Sequence, residues 1–232
     1  MDWLEPVILI ILYEETEQEW IQALANSLYR IYSQCKSVQV QYRCRLRAPV
    51  EVLVGDAITQ TIVSENDVKY HIYLGKSQNY GLFLDMKNGR QWVKEHAKGK
   101  KILNLFAYTC AFSVVALEAG ASGIVNVDNS KAPLTKGREN HRLNHHDLRD
   151  VRFEGVDIFK SFGRLKRYGP YDMVISDPPT FQKGSVDIKK DYIKIMRRLP
   201  QLLNPGGSEL IVVCKEMVLT PSIWDWILYL IK

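Results

Sequence analysis

Asp172-Met173-Val174-Ile175-Ser176-Asp177-Pro178-Pro179-Thr180-Phe181 reads as a buried strand that stops at a carboxylate, two prolines and an aromatic ring. In open α/β sheets, ligands bind just outside the carboxyl ends of the strands. At this end the two prolines fix φ and remove two backbone donors, which leaves carbonyls free to accept hydrogen bonds. Asp-Pro-Pro by itself also suits an ordinary strand-ending turn, so the flanking segments decide between a pocket and a corner.

Those segments alternate between the two secondary-structure periods. Upstream of the quoted run, the pattern predicts a helix over 91–97, a strand over 101–106, a helix over 112–119, a strand over 123–127, a helix over 132–143, a strand over 151–154 and a helix over 158–168. Downstream it predicts a helix over 189–203, ended by Asn204-Pro205-Gly206-Gly207, and a strand over 209–214. Five strands alternating with helices specify a Rossmann-like, doubly wound parallel sheet. Ahead of it, a strand over 7–13, a helix over 17–32 and β-rich runs over 38–45, 50–54, 60–64 and 68–74 make a small α+β unit, with Glu65-Asn66-Asp67 as a hairpin turn. The expected division is therefore a small α+β domain over 1–75 and a larger α/β domain over 76–232, whose sheet is expected to lack its final C-terminal strands.

Composition narrows the class. The 232 residues are 46% hydrophobic and 25% charged, as in an ordinary globular protein rather than a disordered chain or a fibre. The apolar run at 7–12 is far shorter than the roughly 20 residues of a membrane span, so the expected setting is cytoplasmic and no membrane partner is expected. Cys35, Cys44, Cys110 and Cys214 form no C-x-x-C pair, which points to reduced thiols and to no metal site. The net charge of +5 is compatible with a nucleic-acid partner without requiring one. Basic residues cluster at 98–101, 160–167 and 194–198, where they either touch phosphates or form solvated helix faces; sequence cannot place them on one side.

Three further strand ends line up with the Asp-Pro-Pro loop. The first strand runs into Asn104-Leu105-Phe106-Ala107-Tyr108-Thr109-Cys110-Ala111-Phe112, a short loop opening a helix whose amides can meet a ligand carboxylate. The second ends in Asp128-Asn129-Ser130, about 20 residues on, the distance at which a dinucleotide fold places an acid on ribose hydroxyls. The third leads to Asp157-Ile158, an acid and an apolar neighbour suited to an adenine. One ligand carrying a carboxylate, a ribose and an adenine fits all three. A nicotinamide-dependent dehydrogenase does not, because the stretch 107–112 has no glycine.

This ordered set resembles class I S-adenosylmethionine-dependent methyltransferases, in the subfamily that modifies bases of bacterial 23S ribosomal RNA. The resemblance runs from about residue 63 to 214 and includes Gln78-Asn79-Tyr80-Gly81-Leu82-Phe83-Leu84-Asp85-Met86 with Arg90, the 104–109 stretch, Glu139-Asn140 with Leu143-Asn144, and Asp177 to Phe181. It implies S-adenosyl-L-methionine as cofactor, with Asn104, Phe106, Ala107, Tyr108, Thr109, Cys110 and Ala111 at its methionine end. Asp128, Asn129 and Ser130 would then face its ribose, Asp157 and Ile158 its adenine, while Phe83 and Asp85 cover it from the preceding loop. Asp85 and Arg90 could alternatively form a mere surface ion pair. Asp177, Pro178, Pro179 and Phe181 would hold the target base. Where the family usually has glycine, Cys110 is expected to narrow the approach to the cofactor. No separate RNA-binding module is expected before Val7. The implied partner is RNA, ribosomal RNA first, with a homodimer left open. Guanine N7 is the favoured acceptor. The alternatives are cytosine C5, with Cys214 adding to the ring, and a non-catalytic RNA-binding relative.

Overall fold

The computed structural model describes residues 1–178 and 193–211, with side chains through 207. The first elements are β1 (Asp2–Leu4), β2 (Val7–Leu12), α1 (Gln18–Ile31), β3 (Ser37–Tyr42) and β4 (Val50–Gly55). They form a four-stranded sheet in the order β1-β2-β3-β4, in which β2 and β3 run parallel on either side of the α1 crossover. Ile21, Ala25 and Leu28 recur at helical spacing and bury one stripe of α1 against Ile8, Ile10, Val38 and Val40. Three-residue β1 is too short to show the alternation that marks a strand, and the sequence reading passes over it.

Next come β5 (Gln60–Glu65) and β6 (Val68–Tyr73), an antiparallel hairpin. Asn66 and Asp67 both have positive φ, 53° and 64°, which is the primed two-residue turn that matches strand twist; the pair manages it without glycine. The free side of β6 is held by α4 (Lys131–Leu143) and the residue that caps it. Asn144 accepts from Lys69 N–H and donates to Lys69 C=O, both at 2.8 Å, and Asn140 accepts from His71 N–H at 2.9 Å. Spaced four apart, the two asparagines lie on one face of the helix.

The remaining elements are α2 (Lys87–His96), β7 (Lys101–Leu105), α3 (Ala111–Glu118), β8 (Gly123–Asp128), β9 (Val151–Gly155), α5 (Ile158–Tyr168), β10 (Tyr171–Ser176) and β11 (Leu203–Ile211). Five parallel strands are ordered β11-β10-β7-β8-β9, so the winding reverses between β10 and β7. The crevice beyond the carboxyl ends of those two strands is where this topology places a ligand. Leu4, Val7 and Leu9 of the first sheet share one apolar cluster with Tyr70 and Ile72 of the hairpin, Val114 and Val115 of α3, and Ile102, Met173 and Ile175 of the second sheet.

Two boundaries differ from expectation. Helix α2 starts at Lys87, ahead of the predicted 91, and takes in Gly89, where a Cβ would meet the Phe112 ring at 3.4 Å. The predicted helix over 189–203 lies partly outside the described residues. Its end is instead a 3-10 turn at Leu199–Gln201, where Pro200 lacks the N–H that a longer helix needs, and β11 begins at Leu203. Asn204 to Gly207 therefore fall in a register shift of β11 against β10, not at a helix end.

Candidate active site

The β7–α3 turn brings three strained residues to the crevice. Phe106, Tyr108 and Cys110 have φ of 55°, 44° and 61°, a conformation that costs a non-glycine residue about 1 kcal/mol or more each. Neighbouring elements hold it. Asp128, at the end of β8, accepts from Tyr108 N–H at 2.9 Å with one carboxylate oxygen and from Ser130 N–H at 2.8 Å with the other. Thr109 Oγ1 donates to Gly81 C=O at 2.6 Å, and Tyr108 packs against Phe83 at 5.4 Å between ring centroids. The turn opens α3, which has no side-chain N-cap, and its first amides have no carbonyl partner within the helix.

Around this turn lies a cavity of about 600 Å³, within the usual size for a small-molecule site. Its walls bring together Phe83 and Asp85 from the loop before α2; Phe106, Ala107, Tyr108, Thr109 and Ala111 from the β7–α3 turn; and Asp128, Asn129 and Ser130 after β8. Asp157 and Ile158 after β9, and Asp177 and Pro178 after β10, complete the candidate set at the cavity. Asp157 also N-caps α5, with Oδ1 accepting from Phe159 and Lys160 N–H. The turn-forming role that Asp128 and Asp157 could play on sequence grounds is thus present alongside their place in the cavity wall. Pro179, Phe181 and Cys214 lie outside the described residues.

Two candidates stand behind the wall rather than in it. Asn104 pairs in register with Asn126, and its amide donates to Asn126 Oδ1 at 2.9 Å. Asn126 in turn donates to Ser113 Oγ, which lies 2.9 Å from His141 Nε2, so Asn104 ends a buried polar chain under the sheet. Burial pushes His141 down to about 3, which keeps that ring neutral. Cys110 is fully buried and points away from the cavity toward α4. A Cβ on Gly137 would collide with its Sγ, so the side chain expected to crowd the cofactor fills the gap left by a glycine on the neighbouring helix.

That complementarity predicts a paired effect. Gly137→Ala is expected to destabilise the chain by about 1–3 kcal/mol, because the new methyl collides with Cys110 and the backbone of Thr109. Adding Cys110→Gly should recover most of the loss, since glycine also relieves the positive φ. Urea melts of the two singles and the double check this; independent, additive losses would contradict the packing.

Arg90 also lines the cavity. It does not pair with Asp85. Its guanidinium, 1% exposed, makes a bidentate pair with Glu65 of the hairpin turn at 2.6 and 2.9 Å. The sequence signal was its place in the block that runs from Gln78, but no spacing rule links it to an acid 25 residues upstream. Asn79, Met86, Phe112, Pro133 and Phe159 also line the cavity, where no strand-end rule points to them. Asp177 has a carboxyl pushed up to about 7, first by burial and then by the nearby Asp85 carboxylate, with Arg90 pulling the other way.

Residues 1–225 match the family described as S-adenosylmethionine-dependent methyltransferase. The chain belongs to that family. Its relatives include a protein of Erwinia tasmaniensis named ribosomal RNA large subunit methyltransferase I, 31% identical over 208 residues that make up 85% of this chain and 52% of the relative. A structure described as a SAM-dependent methyltransferase from Streptococcus mutans superposes with a TM-score of 0.79 at 27% identity, covering 89% of this chain and 54% of the other. A methyltransferase structure complexed with SAH gives 0.81 at 27% identity, with 92% and 57% covered. The chain spans about half the length of the curated relatives it matches. Its five-stranded parallel sheet with a smaller sheet ahead of it is the architecture of this methyltransferase family. Among the described residues, no helix is long and apolar enough to cross a membrane.

The donor set suits the family's cofactor. The open first turn of α3 offers amides to a carboxylate, Asp128 and Ser130 offer oxygens to ribose hydroxyls, and Ile158, Phe106 and Phe159 offer apolar surface beside Asp157 to an adenine.

Proposed function

We propose that the chain binds S-adenosylmethionine in this cavity and transfers a methyl group to a base of RNA, large-subunit ribosomal RNA first and guanine N7 in particular. The observation that carries the reading is the meeting of Asp128 and Asp177 at the carboxyl ends of β8 and β10, in one cavity, on a chain of this family. The cofactor supplies a sulfonium methyl; the chain's residues bind, orient and exclude water. A guanine N7 already carries a free lone pair and needs no base to deprotonate it. What it needs is a fixed edge. The ionised Asp177 carboxylate can accept from the guanine N1–H and amino group, and the Pro178 carbonyl can accept a second bond. Pro179 and Phe181 follow in sequence and belong to the same proposed base site. Residues 1–75, as a small α+β unit contributing to RNA contact, and 76–232, as the methyl-transfer unit, belong to this proposal as well.

Calorimetry with S-adenosylhomocysteine tests it. Micromolar binding is expected, weakened roughly 10-fold or more by Asp128→Ala, which removes both the proposed ribose acceptor and the bond to Tyr108 N–H. A folded chain that gives no heat would overturn the proposal. Methyl transfer from labelled cofactor to deproteinised large-subunit RNA, followed by mapping of the modified base, then tests the acceptor.

A further inference from the structure

We propose that the outer face of α5, with the adjoining segment 194–198, is the docking surface for the phosphate backbone of the RNA whose base enters the cavity. This rests on the RNA reading above and adds to it where the strand lies.

Of the three basic clusters in the sequence, the fold separates one from the other two. Lys101 opens β7, and its N–H donates to Asp172 at the start of β10, so residues 98–101 sit at the amino ends of the strands, opposite the cavity. The other two clusters come together. Arg198 lies over the Phe162 ring at 5.7 Å and Lys194 over the Phe159 ring at 5.7 Å, which sets the segment beside α5. Lys160, Arg164, Lys166, Arg167, Arg197 and Arg198 are all exposed on this surface. Among the described residues, the acids paired with them are Asp157, 3.6 Å from Lys160, and Glu154, 3.2 Å from Arg164, so basic groups outnumber acids on this surface.

Two further features suit a nucleic-acid strand. Phe106 in the cavity wall, Phe159 and Phe162 form a run of rings, each 6.5 Å from the next, that leads from the cavity to the basic surface. Basic groups interleaved with rings are the arrangement that single-stranded RNA favours. Gly163 lies within α5, where glycine costs about 1 kcal/mol relative to alanine. Its φ is not positive, and a Cβ there would meet none of the described residues within 4 Å. Neither backbone geometry nor packing calls for it; an approaching sugar-phosphate strand would gain from the room.

The test is fluorescence anisotropy of a labelled RNA hairpin with a guanine-containing loop, titrated with the full chain over a range of KCl concentrations. Lys160→Gln with Arg164→Gln, on the turns of α5 nearest the cavity, is expected to weaken binding by roughly 10-fold or more at low salt and to lower the salt slope by about 1.4, as for two lost phosphate contacts at about 0.7 each. Gly163→Glu should weaken it too, with α5 intact by circular dichroism. Lys98→Gln with Lys100→Gln removes the same charge from the opposite end and should leave binding near that of the parent. Equal losses in the two doubles, or unchanged binding in the α5 double, would overturn the proposal. S-adenosylhomocysteine calorimetry on the same variants keeps the two readings apart: RNA binding that depends on α5 in a chain that takes no cofactor retains the docking surface and sinks the methyl-transfer reading.

Discussion

Arg90→Ala is expected to cost about 3–5 kcal/mol of stability. The reason is the charge left behind. Glu65 has 8% of its side chain exposed, and without the guanidinium its carboxylate stays buried with no compensating cation. The same pair joins the turn of the β5–β6 hairpin to α2 beneath the cavity, so the damage should reach cofactor binding. Replacing both partners with apolar residues of similar volume, Arg90→Met with Glu65→Leu, should be far milder in a denaturant melt, because removing both charges removes the desolvation cost along with the attraction. A double as unstable as Arg90→Ala alone would mean that the pair contributes something other than mutual neutralisation.

Asp177→Asn is expected to lower kcat/KM for RNA methylation by roughly 100-fold or more while leaving S-adenosylhomocysteine affinity within a few-fold of the parent, if Asp177 orients the base. The pH dependence carries the sign of its role. With its carboxyl near 7 in the free enzyme, an Asp177 that must accept from guanine makes kcat/KM rise as pH passes through about 7. One that must donate a proton to cytosine N3 makes it fall. Stability runs in a defined direction as well. Between about pH 4 and 7 the folded chain holds a proton on Asp177 that the unfolded chain has released, so the fold loses stability as pH rises through that window. Asp177→Asn removes the effect, and its thermal midpoint relative to the parent should climb between about pH 5 and pH 8. A flat difference would mean that Asp177 does not titrate there.

The sheet was legible because its strands are buried on both faces and bounded by strong punctuation. Tyr171–Ser176 and Ile158–Tyr168 fall where the pattern puts them. Strand-end acids were legible for a similar reason: in a doubly wound sheet, a residue's position at a carboxyl end already fixes its place near the crevice. What the pattern could not supply was direction and distance. Asn104 sits in the right strand, yet its side chain turns to Asn126 under the sheet. Cys110 sits in the right loop, yet it packs against Gly137 on another helix. The partner of Arg90 lies in a hairpin that no local rule brings to α2, and the gathering of two basic clusters on one surface depends on how α5 and residues 194–198 pack.

The asparagines of α4 have a consequence for how the chain behaves among its own copies. A two-stranded hairpin has two open edges, each a row of amides and carbonyls able to template pairing with another strand, and β6 is apolar enough to be a hazard. Asn140 and Asn144 occupy the amides of His71 and Lys69 and the Lys69 carbonyl, so a helix takes the place that a neighbouring strand would otherwise fill. Glu139 extends the same grip by accepting from the Tyr73 hydroxyl. Residues that read as a family signature thus also act as a guard against edge-to-edge aggregation.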